Sequence, residues 1–466
     1  YLAHSTTTSM SVKVNIKWGK ELYKDVEVNL NGTAADFRQQ LFSLTSVAPE
    51  NQKVMGKGAT LKDTEWDKFK NALVAGSTLM MMGTPSKVIQ EVVTAPTTVF
   101  VEDLPEEEQQ LVDLAPGLQN LGNTCYMNAS LQMMNAMPEL QTSLDLFKPP
   151  VGAVANVDAE TKVTIAMKDV VRQLRNTKAT VTPLIFLAML RQSFPRFAEQ
   201  VGGKFVQQSA DECWIQLVQC FKRLPKISAT PGVTGSNGIE QLLAGEMMHE
   251  TKCVDAPEEA PKVELEAFET LRCPIDKDVD FLFQGLKKAL VSDLTKISPT
   301  LNTSATYKTT SQITRLPYYL TIHFLRFLWK GKEGVRAKVG RPVEFPLELD
   351  TYEYCSDELK AKLSEKRELV RIRNDKPAAE RQAIPQAELQ NETGFYELAA
   401  VITHQGRDAE GGHYVAWVRQ EGDNWLLFDD DKVSPATPED IKKLSGKGGI
   451  DWHMAYLCLY RTKQYN

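Results

Sequence analysis

The 466-residue chain lacks several features that would each indicate a particular class of protein. No apolar run approaches the ~18 residues of a membrane span, and no basic stretch followed by an apolar core opens the chain, so we expect neither a span nor a secretory signal. The net charge of −6 gives no reason to expect nucleic acid as a partner. Seven cysteines, an odd number with irregular spacing and no Cys-x-x-Cys pair, are typical of a reducing compartment.

One stretch stands out, Gly117–Asn128, with the sequence Gly-Leu-Gln-Asn-Leu-Gly-Asn-Thr-Cys-Tyr-Met-Asn. Its glycines and asparagines predict a tight loop, and apolar residues then recur at helical spacing from Met127 to Met137. Cys125 is therefore expected at the start of a helix, where the helix dipole and free N–H groups favour a thiolate. With the amide of Asn120 turned toward it, this thiolate would form half of an acyl-transfer site, although a buried core cysteine is an alternative explanation of the spacing.

This stretch resembles the cysteine box of the ubiquitin-specific proteases, which have a papain-like fold with thumb, palm and finger subdomains. The resemblance implies that Cys125 is the nucleophile and that Asn120, together with the backbone N–H of Cys125, stabilises the oxyanion. A second segment, with glycines before His413 and the pattern His-Tyr-Val-x-Trp after it, resembles the histidine box of the same family. His413 is then expected to act as general base and acid.

A predicted hairpin places the carboxylate that would orient His413. A hairpin centred on Glu421, with Trp425–Phe428 as the returning strand, sets His413 directly opposite Asp429, with Cβ atoms about 5 Å apart. A bulge would make Asp430 the partner instead. Taken singly, the two motifs are also compatible with a surface histidine and an acidic turn.

The remaining histidines are weaker candidates for the general base. They are His4 in the N-terminal tail, His249 in the finger region, His323 inside a strand, His404 before a glycine-rich loop, and His453 in the last strand.

A third segment, Phe205–Trp214, resembles the family's Gln-Gln-Asp-Ala-x-Glu box but has Ser209 in place of the usual Asp. The resemblance implies substrate contacts by four residues: Gln207, Gln208, Ser209 and Tyr414. In the family, the acid at this position helps to hold the basic residue of ubiquitin's tail. Because a serine carries no charge, either tail binding is weaker here, or Asp211 or Glu212 shares the task. For the two glutamines, an ordinary helix start is the alternative interpretation.

Two further segments resemble the surface loops that cover the tail channel in this family. They contain Trp329, Lys330 and Gly331 in one loop and Gly406, Gly411 and Gly412 in the other. We expect these loops to close the channel in the free enzyme and to open on docking. The finger region has only Cys253 and Cys273 where many members carry two Cys-x-x-Cys pairs. Since two thiolates do not fill a tetrahedral zinc site, we expect no metal, and no other cofactor.

We predict an α+β chain with four segments. Residues 1–10 are expected to be a remnant of expression or a disordered extension, and residues 85–113 a linker. Residues 11–84 should form a ubiquitin-like β-grasp domain, since strand alternation is followed by a helix with a capping-type start at Thr33 and Asp36; another small α+β module is the alternative. Residues 114–466 should form the protease domain.

This order of domains resembles the proteasome-associated branch of the family. It implies a thiol-dependent deubiquitinase that cleaves after the C-terminal glycine of ubiquitin, acts on polyubiquitinated proteins, and is a monomer when free. It also implies docking on the regulatory particle of the 26S proteasome, and hence a cytoplasmic and nuclear location. The alternative is a weakly active or non-catalytic ubiquitin-binding regulator of the proteasome. A redox-sensing thiol protein ranks last, because Cys125 has no nearby resolving cysteine in the sequence.

Overall fold

The computed structural model describes residues 11–83, 115–149, 157–330, 335–407, 411–449 and 451–465, with gaps at residues 20, 46, 48, 57–58, 63–65 and 72. The predicted extension 1–10 and linker 85–113 lie outside the described residues. The chain divides into two compact units, one within residues 1–95 and one within residues 96–466. Among the described residues, no helix is both long and apolar enough to cross a membrane.

The first unit is a five-stranded sheet with one long helix packed against it. Its elements are β1 (Ser11–Trp18), β2 (Glu21–Asn29), α1 (Ala34–Thr45), β3 (Lys53–Gly56), β4 (Ala59–Thr60), α2 (Trp66–Asn71) and β5 (Thr78–Met82). The strand order is β2-β1-β5-β3-β4, with β1 and β5 parallel at the centre. A capping box begins α1, because the Asp36 carboxylate accepts from the Thr33 N–H at 2.8 Å and the Thr33 hydroxyl accepts from the Asp36 N–H at 3.2 Å. The predicted β-grasp arrangement is confirmed, whereas α2 was not predicted.

The second unit contains a large sheet with helices packed on both faces, together with a four-stranded sheet and two two-stranded sheets. Its helices are α3 (Cys125–Asn135), α4 (Pro138–Leu146), α5 (Ala159–Asn176), α6 (Leu184–Ser193), α7 (Ala210–Phe221), α8 (Gly238–Leu243), α9 (Leu282–Ala289), α10 (Asp357–Asn374) and α11 (Pro438–Lys443). Its strands are β6 (Gln200–Val201), β7 (Lys204–Phe205), β8 (Gly245–Cys253), β9 (Lys262–Phe268), β10 (Leu271–Pro274), β11 (Val291–Ile297), β12 (Ser304–Arg315), β13 (Tyr319–Leu325), β14 (Phe327–Lys330), β15 (Val335–Lys338), β16 (Glu348–Asp350), β17 (Phe395–Gln405), β18 (His413–Arg419), β19 (Trp425–Asp429), β20 (Lys432–Ala436) and β21 (Met454–Thr462).

The large sheet separates two apolar cores. Its order is β10-β13-β21-β17-β18-β19-β20, with β16 also paired to β17. Successive side chains on a strand point to opposite faces. On β18, Tyr414 and Ala416 accordingly join the core that contains helices α3 to α8, while Val415 and Trp417 join the core on the other face. This alternation fixes which side chains of β18 face the helices.

Helix α3 is buried along nearly its whole length, from Cys125 to Met134. A helix that is buried all round belongs to the core rather than to the surface. Its first residue therefore sits where the helical core meets the end of the large sheet, and cannot shift without repacking that core.

The finger subdomain is a four-stranded antiparallel sheet of order β11-β12-β8-β9. The strand pattern of the sequence predicts a finger-like subdomain within residues 242–285, and that boundary is wrong. Strands β11 and β12 lie beyond it, and β10 belongs to the large sheet, where it pairs in parallel with β13. The pattern of a short strand does not show which sheet it joins, because pairing is decided by long-range packing.

The two cysteines of the finger region do not lie in one sheet. Cys253 ends β8 and packs in a small cluster with Tyr307, whereas Cys273 lies in β10 within the core of the large sheet. Burial raises the pKa of the Cys273 thiol to about 12. This placement gives no paired thiolate site, and the expectation that no metal binds stays a prediction.

Candidate active site

Cys125 opens helix α3 directly after a tight loop. Gly122 and Asn123 both have a left-handed backbone, with φ of 93° and 54°, which turns the chain into the helix. The side-chain carbonyl of Asn120 accepts hydrogen bonds from the N–H of Gly122 at 2.9 Å and from that of Thr124 at 3.4 Å. The loop is thus built around Asn120, and Cys125 lies at its end with 3% of its surface exposed.

His413, the first residue of β18, lies between Cys125 and Asp429. Its Nε2 donates to a carboxylate oxygen of Asp429 at 2.6 Å, so Nδ1 is the nitrogen left for the thiol. The hydrogen bond to Asp429, and next the neighbouring Cys125 side chain, raise the pKa of His413 to about 10. The same bond from His413 holds the pKa of Asp429 below its ordinary value. An imidazole beside a thiol can accept its proton and so activate it as a nucleophile.

The predicted register of the hairpin was wrong by two residues. The observed ladder pairs Arg419 with Trp425 and Ala416 with Phe428, so the turn is centred on Gly422 rather than on Glu421. Gly422 has a φ of 66°, which suits a glycine at the centre of the turn. Because side chains alternate with a period of two, this shift keeps His413 and Asp429 on one face and makes them diagonal neighbours within reach of each other.

Asp430 does not orient His413 and has a different set of partners. Its carboxylate accepts from the side-chain amide of Asn120 at 2.8 Å and from that of Asn128, in helix α3, at 2.8 Å. Its backbone carbonyl accepts from the N–H of Leu118 at 2.8 Å. Asp430 therefore joins the acidic turn to the cysteine loop and fixes the amide of Asn120. An amide nitrogen has two hydrogens, so the bond to Asp430 still leaves one for a substrate.

The acidic turn and the cysteine loop touch at the backbone level as well. A Cβ atom on Gly117 would lie 2.6 Å from the carbonyl oxygen of Asp431 and 2.7 Å from that of Asp430. Only a glycine permits this approach without movement of the backbone.

The glutamines of the third box and Ser209 are buried beside the site, with 6–8% of their surfaces exposed. Ser209 lies at the residue before α7, but its side chain does not cap the helix. Its hydroxyl instead donates to the Asp211 carboxylate and lies 2.9 Å from the hydroxyl of Tyr456 and 3.4 Å from that of Tyr414. Ser209 is therefore part of a buried polar cluster with two tyrosines and an aspartate.

Asp211 carries the charge of this cluster. Tyr456 donates to its carboxylate at 2.6 Å, and His323 lies 3.9 Å away. Burial acts to raise the pKa of Asp211, but the pull of His323 and the hydrogen bonds from Ser209 and Tyr456 outweigh it and leave the pKa below its ordinary value. Glu212, the other candidate, pairs with Arg196 at 3.4 Å.

The residues predicted to cover the channel divide into two groups. Gly331 lies outside the described residues, and Trp329 and Lys330 end β14 without a description of their side chains. Gly406, Gly411 and Gly412 lie in the connection between β17 and β18 that leads into His413. Their role in gating stays a prediction.

The structure also changes the placement of His453 and shows one role that sequence analysis missed. His453 precedes β21 rather than lying in it, and its Nδ1 is 3.0 Å from the hydroxyl of Thr403. Sequence analysis missed the role of Asp430 toward Asn120. The available signals were the acidic residue directly after Asp429 and the asparagine that closes the cysteine box.

His413, Asp429 and Asp430 are also the one group of three possible metal ligands among the described residues, with ligand atoms within 4.8 Å of one another. Hydrogen bonds already account for their arrangement. His413 bonds to Asp429, and Asp430 bonds to two asparagine amides.

Comparison with known proteins gives one consistent result. The family model described as "Ubiquitin carboxyl-terminal hydrolase" matches residues 116–460. The chain is 36% identical to Ubiquitin carboxyl-terminal hydrolase 7 of Arabidopsis thaliana, over 97% of this chain and 98% of that protein. It is 35% identical to Ubiquitin carboxyl-terminal hydrolase 6 of Schizosaccharomyces pombe, over 97% and 99%, and 35% identical to Ubiquitin carboxyl-terminal hydrolase 14 of Caenorhabditis elegans, over 97% and 93%.

The raised pKa of His413 predicts a pH dependence of stability. A histidine whose pKa is raised on folding stabilises the folded state fully below its ordinary pKa of 6.5, and this contribution is lost as the pH rises to about 10. We expect His413→Gln to lower the free energy of unfolding most near pH 6.5 and least near about pH 10. The measurement is urea denaturation across this pH range. Asp429→Asn should weaken the same pH dependence, because the bond to Asp429 is the largest cause of the raised pKa. A difference between wild type and His413→Gln that stays constant across this range would contradict the ion pair.

Proposed function

Because this chain belongs to the ubiquitin carboxyl-terminal hydrolase family, we propose that it hydrolyses the peptide or isopeptide bond after the C-terminal glycine of ubiquitin, with Cys125 as the nucleophile. The observation that carries the proposal is the placement of His413 between Cys125 and Asp429. This is the arrangement in which one imidazole activates a thiol and is itself oriented by a carboxylate.

The reaction proceeds in two steps. The Cys125 thiolate attacks the glycine carbonyl, and His413 donates its proton to the departing lysine amine, which leaves a thioester. His413 then takes a proton from water, the hydroxide attacks the thioester, and ubiquitin leaves with a free carboxylate. Asp429 holds the imidazole in one orientation throughout. These steps use protein groups alone.

The oxyanion of each step is stabilised by Asn120 and the backbone N–H of Cys125. Support comes from the contacts of the Asn120 side chain, which bind its carbonyl to the loop and one N–H to Asp430. Such contacts fix the direction of the remaining N–H before substrate arrives.

The buried cluster next to the site serves the tail of ubiquitin. Gln207, Gln208, Ser209 and Tyr414 form the wall of the tail channel, and Asp211 supplies the negative charge that Ser209 lacks. Asp211 is favoured over Glu212 because its carboxylate is bonded directly to the Ser209 hydroxyl, whereas Glu212 pairs with Arg196.

The β-grasp unit docks the enzyme on the regulatory particle of the 26S proteasome, where activity rises. Its sheet has an apolar outer face, since Leu22, Met80 and Met82 are 45–49% exposed. Lys17 of β1 pairs with Leu22 on one side and with Met80 on the other, so these three residues form a row across three strands. A methionine-containing apolar face with lysines suits an apolar helix with acidic residues. A cytoplasmic and nuclear location and a monomeric free state complete the proposal.

The proposed activity can be tested with ubiquitin that carries a C-terminal electrophile. Wild type should be labelled, and more strongly with proteasome, whereas Cys125→Ala should not be labelled at all. Equal labelling with and without proteasome would support the proposed enzymatic activity but contradict its activation by the proteasome. No labelling in either condition would favour the alternative, a non-catalytic ubiquitin-binding regulator.

Asp430→Asn is expected to lower kcat by about 100-fold, close to the loss of one oxyanion donor. An amide in place of the carboxylate cannot accept from both Asn120 and Asn128 in the observed way. The measurement is hydrolysis of a ubiquitin amide, with Asp431→Asn as the neighbouring control. Labelling by the electrophile should persist in Asp430→Asn, because Cys125 and His413 are untouched. A kcat equal to that of the control would show that Asn120 does not need this support.

Asp211→Asn is expected to raise KM by roughly 10-fold or more with a smaller effect on kcat, since a charge-assisted hydrogen bond to the tail is lost. Glu212→Gln is the control and should leave KM unchanged. The effect should disappear on ubiquitin whose basic tail residue is replaced by leucine, which makes a double-mutant cycle. If Asp211→Asn raises KM equally on that substrate, Asp211 acts only through the fold.

Met80→Asp is expected to weaken binding to the proteasome at least 10-fold, because it puts a charge in the centre of the apolar face. Val74→Asp, at a residue that is 51% exposed outside the sheet, is the control. Binding is measured by co-sedimentation with purified 26S proteasome, and hydrolysis of ubiquitin amide by the free enzyme should stay the same. If Met80→Asp binds the proteasome as tightly as wild type does, the docking surface does not include this apolar face.

A further inference from the structure

Two buried polar side chains that the proposed chemistry does not use lie beneath the segment that leads into His413. Lys338, the last residue of β15, is 9% exposed, and His404, in β17, is fully buried. Burying a charged or polar group costs free energy unless it is hydrogen-bonded, so the bonds of these two residues indicate what they hold in place.

Lys338 binds the end of β17. Its ammonium donates to the backbone carbonyl of His404 at 2.9 Å and to that of Gly406 at 2.9 Å. Burial and the neighbouring Arg326 lower the pKa of Lys338 to about 8. The two carbonyls offset part of the cost of removing the charge from water. Lys338 thereby joins the β14–β15 hairpin to the start of the β17–β18 connection.

His404 binds the far end of the same connection. Its Nε2 lies 3.0 Å from the carbonyl oxygen of Gly411, and because a carbonyl only accepts, Nε2 carries the hydrogen. Burial lowers the pKa of His404 to about 3, so the ring is neutral. The ring packs between Phe327, at 5.3 Å, and Tyr414, at 4.6 Å. The carbonyl it holds lies two residues before His413.

The described ends of this connection, Gln405–Gly406 and Gly411–Gly412, approach each other closely. A Cβ atom on Gly412 would lie 2.1 Å from the carbonyl oxygen of Gln405, and one on Gly406 would lie 2.8 Å from the Cα of Gly412. Both glycines have positive φ, 98° at Gly412 and 113° at Gly406. The two ends of the connection are therefore in contact, and Gln405 pairs with His413 across the ladder. A shift at either anchor moves the backbone of His413.

We propose that Lys338 and His404 are positioning residues for the reaction, which hold the backbone of His413 where its ring reaches both Cys125 and Asp429. The inference rests on the proposed function, because its readout is that reaction. The imidazole has to meet two partners at once, and a misplacement of about 1 Å costs on the order of 100-fold in rate.

The test compares variants that keep or remove one hydrogen bond. His404→Leu removes the donor to Gly411, whereas His404→Gln keeps an N–H in a similar position. We expect kcat on ubiquitin amide to fall about 10- to 100-fold in His404→Leu with KM within about two-fold of wild type, and to stay within about three-fold of wild type in His404→Gln. Lys338→Met should behave as His404→Leu does. Lys443→Met, at a lysine with 55% side-chain exposure, is its control.

Urea denaturation of each variant separates positioning from folding, and kcat is compared only among variants that are folded at the assay temperature. If Lys338→Met does not fold, the two His404 variants decide. A folded His404→Leu with wild-type kcat, or a His404→Gln as slow as His404→Leu, would overturn the inference. Failure of wild type to hydrolyse ubiquitin amide would instead overturn the proposed function, so the two failures are distinct.

Discussion

The site depends on the end of β19, where Asp429 is the last residue of the strand and Asp430 begins the two-residue turn to β20. The two carboxylates serve opposite sides, since Asp429 binds His413 while Asp430 binds Asn120 and Asn128. The left-handed backbone of Asp430, with a φ of 54°, allows adjacent side chains to diverge in this way. This end of the strand thus sets the base and the cysteine loop relative to each other. The hydrogen bond from His413 lowers the pKa of Asp429, whereas burial raises the pKa of Asp430 despite its hydrogen bonds from Asn120 and Asn128.

The rest of the second unit supports this turn. The large sheet lies between two apolar cores, and helix α3 is buried on all sides, so neither the strand that carries His413 nor the helix that carries Cys125 can move alone. Reacting groups are held most accurately when they project from packed elements rather than from free loops. Here Cys125 begins a helix and His413 begins a strand.

Buried polar groups surround the site in two places, and each has a distinct physical task. In one place, Ser209, Asp211 and Tyr456 form a hydrogen-bonded cluster. On the side of the β17–β18 connection, Lys338 and His404 bind backbone carbonyls. The first group contains the carboxylate of Asp211, and the second binds backbone carbonyls near His413.

Local patterns in the sequence determined a large part of this protein. Helical spacing after the cysteine box indicated that Cys125 opens a helix, and strand alternation indicated the β-grasp unit and the face shared by His413 and Asp429. These features depend on periods of 3.6 or 2, which can be read from neighbouring residues.

Only the tertiary structure decided which residues that are distant in the sequence contact each other. The observed hairpin register differs from the predicted one by two residues, and β10 pairs within the large sheet. Asp430 accepts a hydrogen bond from Asn120, which is 310 residues away in the sequence. It also showed that Lys338 meets the end of β17. Such contacts depend on how separate elements pack, and a single sequence carries no periodic signal for packing between distant segments.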